Sequence, residues 1–298
     1  AAKQGLKVVI FEGENVGGTC LNVGCIPTKT YVHSATFEEA RERMSLVVAQ
    51  LRSGVESILS HPNITLVREK AQFENQGDRP HDSGPAPLIL AGGETYTAGN
   101  IIIATGSETK WLPIEGVDTD PRVIDSTGLL NLDTLPKRLC IIGAGVIGME
   151  FASVFNRFGS EVTVIEYLKE CLPALDSDIA KRLRKLLEKR GITFRMKTAV
   201  QSLADIDADV ILMATGRKPR IQPDFACAGF AYDERNGIAV NANFETSVAG
   251  IYAIGDVNGR QMLAHAAEMQ AIRAVNHILG KRDGIRFDIM PAAIFTTP

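Results

Sequence analysis

The sequence contains no apolar run long enough to cross a membrane, and it has no excess of charge of either sign. Its 298 residues include 32 lysines and arginines and 35 aspartates and glutamates, for a formal net charge of −3. This balance gives no reason to expect a nucleic acid or an anionic membrane as a partner. No signal-peptide pattern precedes the first strand-like segment. With 45% hydrophobic residues, the chain is typical of a soluble globular protein, and its length favours two domains.

Cysteine is scarce, and three of the five cysteines show no chemical pattern. Cys140, Cys171 and Cys227 are scattered without the spacing of metal ligands, so we expect reduced, buried thiols and no metal site. Only Cys20 and Cys25 lie close together in the sequence. Because a single cysteine pair in an otherwise reduced chain is typical of a reducing compartment, we expect a cytoplasmic protein.

The cysteine pair lies in the most informative stretch of the chain, residues 17–29, with the sequence GGTCLNVGCIPTK. In a regular helix, positions five apart are too distant for a disulfide. The segment must therefore bend for Cys20 and Cys25 to bond, and Gly24 supplies the backbone freedom. A short, strained, reducible disulfide is catalytic rather than structural. Cys25 also precedes a helix predicted from residue 28 to about 59, and a helix N-terminus favours a thiolate.

A second pattern indicates a dinucleotide site. Gly143, Gly145 and Gly148 follow a strand-like segment and open a helix-like one. Glycines in this context allow a tight turn and the close approach of a pyrophosphate to a helix N-terminus. Glu166 ends the next strand, where it can bind a ribose hydroxyl and would repel a 2′-phosphate. NAD is therefore favoured over NADP, with Lys169 the only opposing residue.

Strand-like and helix-like segments alternate along the chain, which predicts an α/β fold with doubly wound parallel sheets. The sequence Ala-Thr-Gly ends a strand twice, at residues 104–106 and 214–216, which indicates two similar dinucleotide-binding units. A stretch rich in Gly, Pro and Asp at residues 75–87 predicts an exposed loop.

The run GGTCLNVGCIPTK resembles the redox-active motif of the class I pyridine nucleotide-disulfide oxidoreductases, and the later motifs extend the resemblance over nearly the whole chain. The resemblance implies two Rossmann-like domains that bind FAD and NAD, with the NAD unit inserted in the FAD unit. The expected domains are a first FAD-binding part over 1–119, an NAD-binding domain over 120–236, a second FAD-binding part over 237–285, and the start of an interface domain over 286–298.

The resemblance also implies how the site residues act. Cys25, nearer the flavin, would form the charge-transfer thiolate, and Cys20 would attack the substrate disulfide. Lys29 and Glu150 match a lysine and a glutamate that pair beside the flavin and the nicotinamide respectively. The implied FAD contacts are Glu12, Gly18, Thr19, Lys29, Ala71, Thr105, Gly106, Gly255, Asp256, Met262, Leu263 and Ala264. The implied NAD contacts are Gly143, Gly145, Ile147, Gly148, Glu150, Glu166, Val200 and Gly216.

Both ends of the chain fall inside the family pattern. No glycine loop precedes the strand that ends at Glu12, and the last four residues, Phe-Thr-Thr-Pro, resemble the entrance to the family's interface domain. In the family that domain supplies the dimer contact and a catalytic His-Glu pair. We therefore expect a fragment that carries little or no flavin by itself, and a homodimer for the full-length protein.

The patterns leave the substrate open. Residues 162–176 resemble lipoamide dehydrogenases, whereas residues 25–30, residues 125–132 and the final Phe-Thr-Thr-Pro resemble bacterial reactive-chlorine-resistance flavoproteins, which are related to mercuric reductases. We expect first an NADH-dependent reductase of the latter branch that acts on a disulfide-like or oxidised thiol-reactive substrate. The alternatives are dihydrolipoamide dehydrogenase, acting on a lipoyl-type disulfide, and a mercuric-reductase-like enzyme. A hypothesis from another class is a non-catalytic FAD- and NAD-binding module that senses redox state, which would not need the cysteine pair.

Overall fold

The structure is a computed structural model that describes residues 1–74 and 88–297. The loop predicted at residues 75–87 lies outside the described residues. Among the described residues, the α-helices in chain order are α1 Gly18–Val23, α2 Cys25–Val32, α3 Phe37–Leu59, α4 Ser126–Leu130, α5 Val146–Phe158, α6 Ser177–Glu188 and α7 Ala264–Ile278.

The strands are short and spread along the whole described chain. In order they are β1 Val8–Phe11, β2 Ile64–Val67, β3 Gln72–Phe73, β4 Ile89–Ala91, β5 Glu94–Tyr96, β6 Ile101–Ile103, β7 Ser107–Thr109, β8 Val123–Ile124, β9 Arg138–Ile142, β10 Glu161–Glu166, β11 Thr193–Met196, β12 Val210–Met213, β13 Arg217–Pro219, β14 Tyr232–Asp233, β15 Gly237–Ile238 and β16 Ile251–Ala253.

Backbone contacts divide the chain into two compact units. Unit 1 comprises Ala1–Gly17, Arg52–Glu108 and Lys218–Ala292, and unit 2 comprises Gly18–Leu51, Thr109–Arg217 and Ala293–Pro298. The cysteine pair and the glycine loop that starts at Gly143 therefore belong to the same unit.

Unit 2 is built on a five-stranded, fully parallel sheet in the order β11-β10-β9-β12-β8. Strand β9 shows that hydrophobic side chains pack on both faces of this sheet, as is usual for a parallel sheet. Its Leu139 and Ile141 belong to one hydrophobic cluster, and its Cys140 and Ile142 belong to another, as the two-residue period of a strand requires. The parallel arrangement confirms the predicted α/β class.

An aromatic cluster joins α2, the helix that begins at Cys25, to α3 and α5 of unit 2. Tyr31 of α2, Phe37 of α3, and Phe155 and Phe158 of α5 have ring centroids 6.0 to 6.4 Å apart. Edge-on, tilted and stacked contacts of this kind add to the energy of burial. The hydroxyl of Tyr31 also donates to the carbonyl oxygen of Leu130 at 3.2 Å. These contacts hold α2 against α5.

The helix predicted from residue 28 to about 59 is interrupted in the structure, so that prediction was wrong in detail. Helix α2 ends at Val32 and α3 begins at Phe37. The side chain of Thr36 accepts a hydrogen bond from the backbone N–H of Glu39 at 3.2 Å, and the Glu39 carboxylate accepts one from the N–H of Ala35 at 2.8 Å. These two capping hydrogen bonds stabilise a new helix start at the expense of a continuous helix.

Unit 1 contains smaller sheets. Strand β1 pairs in parallel with β2, and β6 pairs in parallel with β16. Strands β3, β4 and β5 form an antiparallel sheet, and β14 and β15 form an antiparallel pair. The core of the unit contains Phe73, Phe225 and Phe230 in mutual edge-on contact, together with Ile103 and Ile251 from the parallel pair.

Candidate active site

The two cysteines lie on either side of a break between two short helices. Helix α1 ends at Val23 and α2 begins at Cys25, with Gly24 between them at φ −130° and ψ −116°. A Cβ atom on Gly24 would lie 2.8 Å from the carbonyl oxygen of Thr19 and 3.1 Å from the Cα atom of Cys20. The lack of a side chain at Gly24 therefore permits the close approach that brings the two cysteines together.

Both thiols are free, and the Cys20 thiol donates a hydrogen bond to the Cys25 sulfur. This bond, aided by the Lys29 ammonium, lowers the pKa of Cys25 to about 6, although partial burial and the Glu150 carboxylate oppose it. The same bond, together with burial, raises the pKa of Cys20 well above its ordinary value. At neutral pH the pair therefore holds a thiolate at Cys25 and a thiol at Cys20.

Lys29 and Glu150 form an ion pair although 121 positions separate them in the sequence. The Nζ atom of Lys29, one turn past Cys25 on α2, lies 3.0 Å from Oε1 and 2.9 Å from Oε2 of Glu150 on α5. The Glu150 side chain is only 5% exposed, and the Lys29 side chain is 27% exposed. The low exposure limits screening by water, so the pair exerts a stronger field on Cys25 than a surface pair would.

The segment that contains Phe295 also reaches this ion pair, and sequence reasoning did not place it there. The backbone N–H of Phe295 donates to Oε1 of Glu150 at 2.9 Å, and the Nζ atom of Lys29 lies 4.7 Å from the centroid of the Phe295 ring. Ser153 accepts a hydrogen bond from the N–H of Thr297 at 2.9 Å. No local signal could have found these contacts, since 145 positions separate Phe295 from Glu150.

In the glycine loop before α5, close packing requires two of the three predicted glycines. Gly143 has φ +107°, and a Cβ atom there would lie 2.4 Å from the carbonyl oxygen of Ala214. A Cβ atom on Gly148 would lie 2.0 Å from the carbonyl oxygen of Gly143, so only glycine lets the helix pack so closely on the loop. Gly145, the residue that caps α5, faces open space. An open backbone at a helix N-terminus is where a pyrophosphate can approach.

Glu166 ends β10 and is tied to the same loop. Its Oε2 accepts a hydrogen bond from the N–H of Ala144, and its Oε1 accepts one from the N–H of Leu168, both at 2.7 Å. The predicted residue Gly216 follows β12 with φ +101° and faces open space. Of the remaining predicted NAD contacts, Ile147 lies in α5 and packs against one core cluster of unit 2, and Val200 follows β11 and packs against the other.

The predicted flavin contacts of unit 1 centre on Asp256, in the turn that follows β16. Its Oδ2 accepts a hydrogen bond from the hydroxyl of the buried Ser107 at 2.6 Å. Gly255 has φ +72°, and its N–H donates to Oε1 of Gln270 at 2.7 Å. The same Gln270 oxygen accepts from the amide of Asn258 at 2.8 Å, so a buried network fixes the turn.

Other predicted flavin contacts lie at strand and helix ends of unit 1. Glu12 follows β1, and its Oε1 accepts a hydrogen bond from the N–H of Glu14 at 3.0 Å. The hydroxyl of Thr105 donates to the carbonyl oxygen of Arg220 at 3.1 Å, and Gly106 faces open space at φ +75°. Ala71 packs against the core of this unit. Leu263 caps α7 and Ala264 is its first residue, and the last predicted contact of the unit, Met262, precedes them.

The predicted flavin contacts are therefore divided between the two units. Gly18 begins α1 with φ +63°, Thr19 is exposed on the same helix, and Lys29 lies on α2; all three belong to unit 2. The other predicted flavin contacts belong to unit 1: Glu12, Ala71, Thr105, Gly106, Gly255, Asp256, Met262, Leu263 and Ala264.

Comparisons with known proteins decide the family. The family model described as pyridine nucleotide-disulphide oxidoreductase matches residues 1–271. The chain belongs to this family. It is therefore a class I flavoprotein disulfide oxidoreductase, a family that uses FAD and NAD(P) and acts through a redox-active disulfide.

Individual relatives agree with this placement. The chain is 38% identical to a dihydrolipoyl dehydrogenase of Thermus scotoductus and 34% identical to the mitochondrial dihydrolipoyl dehydrogenase of Pisum sativum, with all of this chain covered in each case. A Cu(II) complex of the HOCl-induced flavoprotein disulfide reductase RclA from Escherichia coli is similar at a TM-score of 0.85 and 35% identity, over 94% of this chain. The chain covers 70%, 67% and 67% of these three proteins, about two thirds of their length.

None of the helices within residues 1–74 and 88–297 combines the length and the apolar character that a membrane span needs. In the same part of the chain, no group of three or more His, Cys, Asp or Glu side chains is placed to hold a metal ion.

Proposed function

We propose that the intact protein passes a hydride from NADH, through FAD, to a Cys20–Cys25 disulfide, and that the resulting dithiol reduces a disulfide-like or oxidised thiol-reactive substrate. The observation that carries the proposal is the placement of two free thiols on either side of the helix break at Gly24, with the Lys29 ammonium held by Glu150 one turn past Cys25. A flavin, when bound, carries the two electrons between the nicotinamide and the disulfide.

The two cysteines have different tasks in the second half of the reaction. Cys20 loses its proton to a base, and its sulfur attacks one sulfur of the substrate disulfide and releases a first thiolate. The Cys25 thiolate then attacks the Cys20 sulfur, which restores the Cys20–Cys25 disulfide and releases a second thiolate. The released thiolates take up protons, and the electrons of one NADH return the pair to thiol and thiolate. Because the pKa of Cys20 is raised, its attack needs a base, which the family resemblance assigns to the His-Glu pair of the interface domain.

The described residues of unit 1 suit the sugar-phosphate part of FAD. The Asp256 carboxylate sits on a turn fixed by Ser107 and Gln270, so it can accept hydrogen bonds from ribityl hydroxyls without rearrangement. The backbone at Gly106 is open to a ligand, and Glu12 ends a strand as an acid that can bind a ribose. We assign these residues to flavin binding, and Lys29, Gly18 and Thr19 to the flavin side of the cysteine pair.

We assign the loop from Gly143 to Gly148 to the pyrophosphate of NAD, and Glu166 to its adenosine ribose. A 2′-phosphate would face the Glu166 carboxylate, which the N–H groups of Ala144 and Leu168 hold in place. NADH is therefore the preferred nucleotide. We assign Glu150, the more buried member of its ion pair with Lys29, to a position beside the nicotinamide ring of NAD.

The substrate follows from the branch that the chain resembles. The similarity to the HOCl-induced reductase favours a reductase of the reactive-chlorine-resistance branch, and the similarity to dihydrolipoyl dehydrogenases favours a lipoyl-type disulfide as the second candidate. Mercuric ion is the third candidate substrate, and Cu(II) belongs in the same test because the similar reductase was solved as a Cu(II) complex. A purely binding module is disfavoured because it would not need a thiolate at Cys25.

We further propose a cytoplasmic homodimer, as the family resemblance implies. Its NAD-binding domain would extend over residues 120–236, inserted in an FAD-binding domain formed by residues 1–119 and 237–285, and its interface domain would begin at residue 286. Sedimentation of the intact protein would measure the oligomeric state.

Turnover of the intact protein tests the proposed function. NADH oxidation should be followed with lipoamide, a low-molecular-weight disulfide, mercuric ion, Cu(II) and a reactive chlorine species, each with wild type and with Cys20→Ser. The proposal requires at least one substrate whose reduction needs Cys20. NADH oxidation that is indifferent to Cys20 with every substrate would contradict the role of the cysteine pair, and no NADH oxidation with any substrate would favour the binding-module hypothesis.

A further inference from the structure

The carboxylate of Glu150 is shared between two partners. Its Oε1 accepts hydrogen bonds from the Lys29 ammonium at 3.0 Å and from the backbone N–H of Phe295 at 2.9 Å, while Oε2 accepts one from Lys29 at 2.9 Å. The ring of Phe295 meanwhile faces the Lys29 ammonium at 4.7 Å. Phe295 therefore contacts both members of the ion pair, one through its backbone and the other through its ring.

The segment around Phe295 is anchored on both sides. Ile294 packs against the hydrophobic core of unit 2. The N–H of Thr297 donates to the hydroxyl of Ser153, and that hydroxyl also approaches the carbonyl oxygen of Thr297 at 3.4 Å. Ser153 and Glu150 both belong to α5, so the segment runs along the helix that carries the carboxylate.

Phe295 faces the ion pair that acts on Cys25. The charged and titratable groups that act on the Cys25 sulfur are Cys20 from α1, Lys29 from its own helix and Glu150 from α5. Lys29 favours the thiolate and Glu150 disfavours it. The net field at Cys25 therefore depends on where the Lys29 ammonium is held between the sulfur and the carboxylate.

We propose that Phe295 is a positioning residue, whose ring and backbone N–H fix the Lys29–Glu150 ion pair and so set the reactivity of the Cys25 thiolate. The aromatic face restrains the ammonium by a cation–π contact, and because Phe295 is 41% exposed the contact has the strength expected at a partly exposed site. The inference rests on the proposed role of Cys25 as the resting thiolate, but it concerns only thiol reactivity and needs no substrate turnover.

The test is the pH profile of Cys25 alkylation in the intact, flavin-loaded protein. A Cys20→Ser background leaves one sulfur of the pair to follow, and peptide mass spectrometry separates Cys25 from the other cysteines. Phe295→Tyr keeps an aromatic face, Phe295→Leu keeps apolar volume without one, and Phe295→Ala keeps neither. Phe295→Leu also serves if Phe295→Ala fails to fold. Each variant is repeated with Lys29→Met, which removes the ammonium on which the ring acts.

We expect Phe295→Leu and Phe295→Ala to shift the alkylation midpoint upward by about half a pH unit, the size a cation–π contact of ordinary strength supports. Phe295→Tyr should leave the midpoint where it is, and no Phe295 substitution should shift it in the Lys29→Met background. The proposal would be overturned if Phe295→Leu had the same alkylation midpoint as the Cys20→Ser parent. It would also be overturned if Phe295→Tyr shifted the midpoint as much as Phe295→Leu does, or if a Phe295 substitution shifted it in the Lys29→Met background. NADH turnover with a substrate is measured separately, so failure of the proposed function would be distinguishable from failure of this inference.

Discussion

The carboxylate of Glu166 accepts a hydrogen bond from the backbone N–H of Ala144 at 2.7 Å, which ties the end of β10 to the glycine loop. A second bond from the N–H of Leu168, also at 2.7 Å, holds the other carboxylate oxygen. The acid is therefore fixed before a nucleotide binds, so it does not need to be ordered on binding.

Glu166→Arg should reverse or narrow the preference between nicotinamide cofactors. The substitution replaces a charge that repels a 2′-phosphate by one that attracts it, so kcat/KM should fall for NADH and rise for NADPH. Glu161→Gln, an exposed change at the other end of β10, is the matched control and should alter neither value. Equal use of both cofactors by the wild type would show that Lys169 or another residue compensates for Glu166.

Gly24→Ala should destabilise the protein and separate the two cysteines. The added Cβ would meet the carbonyl oxygen of Thr19 at 2.8 Å, and overpacking against backbone costs about 1–3 kcal/mol. Gly54→Ala within α3 is the control, because its Cβ would face open space and alanine favours a helix by up to about 1 kcal/mol. Thermal unfolding should show a lower Tm for Gly24→Ala and an equal or higher Tm for Gly54→Ala. A Tm for Gly24→Ala matching the wild type would contradict the geometry at the helix break.

Lys29 and Glu150 should move the pKa of Cys25 in opposite directions. Cys25 has a pKa lowered to about 6, so its thiolate forms as the pH rises through about 6 rather than through the ordinary range of a thiol. Lys29→Met removes the stabilising cation, so alkylation of Cys25 should begin at higher pH, by about 1 unit. Glu150→Gln removes the opposing carboxylate, so alkylation should begin at lower pH.

The buried cysteines supply the internal control for that experiment. Burial raises the pKa of Cys140 to about 11 and that of Cys171 to about 12. Both should remain unmodified in the folded protein at neutral pH and react only after unfolding. A profile for Cys25 that is unchanged in both variants would mean that the ion pair does not act on this sulfur.

Ser107→Ala should weaken flavin binding by about tenfold, because it removes the hydroxyl that holds the Asp256 carboxylate at 2.6 Å. Flavin retained by the intact protein after dialysis, read from its visible absorbance, measures the effect. Ser160→Ala removes another buried serine hydroxyl, which donates to the carbonyl oxygen of Pro136, and should leave flavin retention unchanged. Equal flavin retention in the wild type and Ser107→Ala would mean that the Ser107 hydroxyl does not contribute to flavin binding through Asp256.

Local patterns predicted the parts of this molecule that depend on local geometry. The bend at Gly24 follows from the spacing of Cys20 and Cys25, and the glycine loop before α5 follows from three glycines between a strand and a helix. The break before α3 was missed although Thr36 and Glu39 have the spacing of a capping box, because helix-forming residues continue on both sides of it.

Long-range pairs could not be predicted in the same way. The contacts of Phe295 with Glu150 and of Ser107 with Asp256 join residues about 150 positions apart. Their partners are selected by the packing of whole units, and one sequence carries no periodic signal for such a pairing. The Lys29–Glu150 pair was anticipated only through the family resemblance.

The most direct test of the central claim is an anaerobic titration of the intact, flavin-loaded protein with NADH, followed by visible absorbance. The account predicts a long-wavelength charge-transfer band in the wild type as the Cys20–Cys25 disulfide is reduced and a thiolate forms at Cys25. In Cys20→Ser, which keeps the Cys25 sulfur but cannot form the disulfide, the band should be present before any NADH is added, and in Cys25→Ser it should be absent throughout. A band that persists in Cys25→Ser would contradict the assignment of Cys25 as the thiolate beside the flavin.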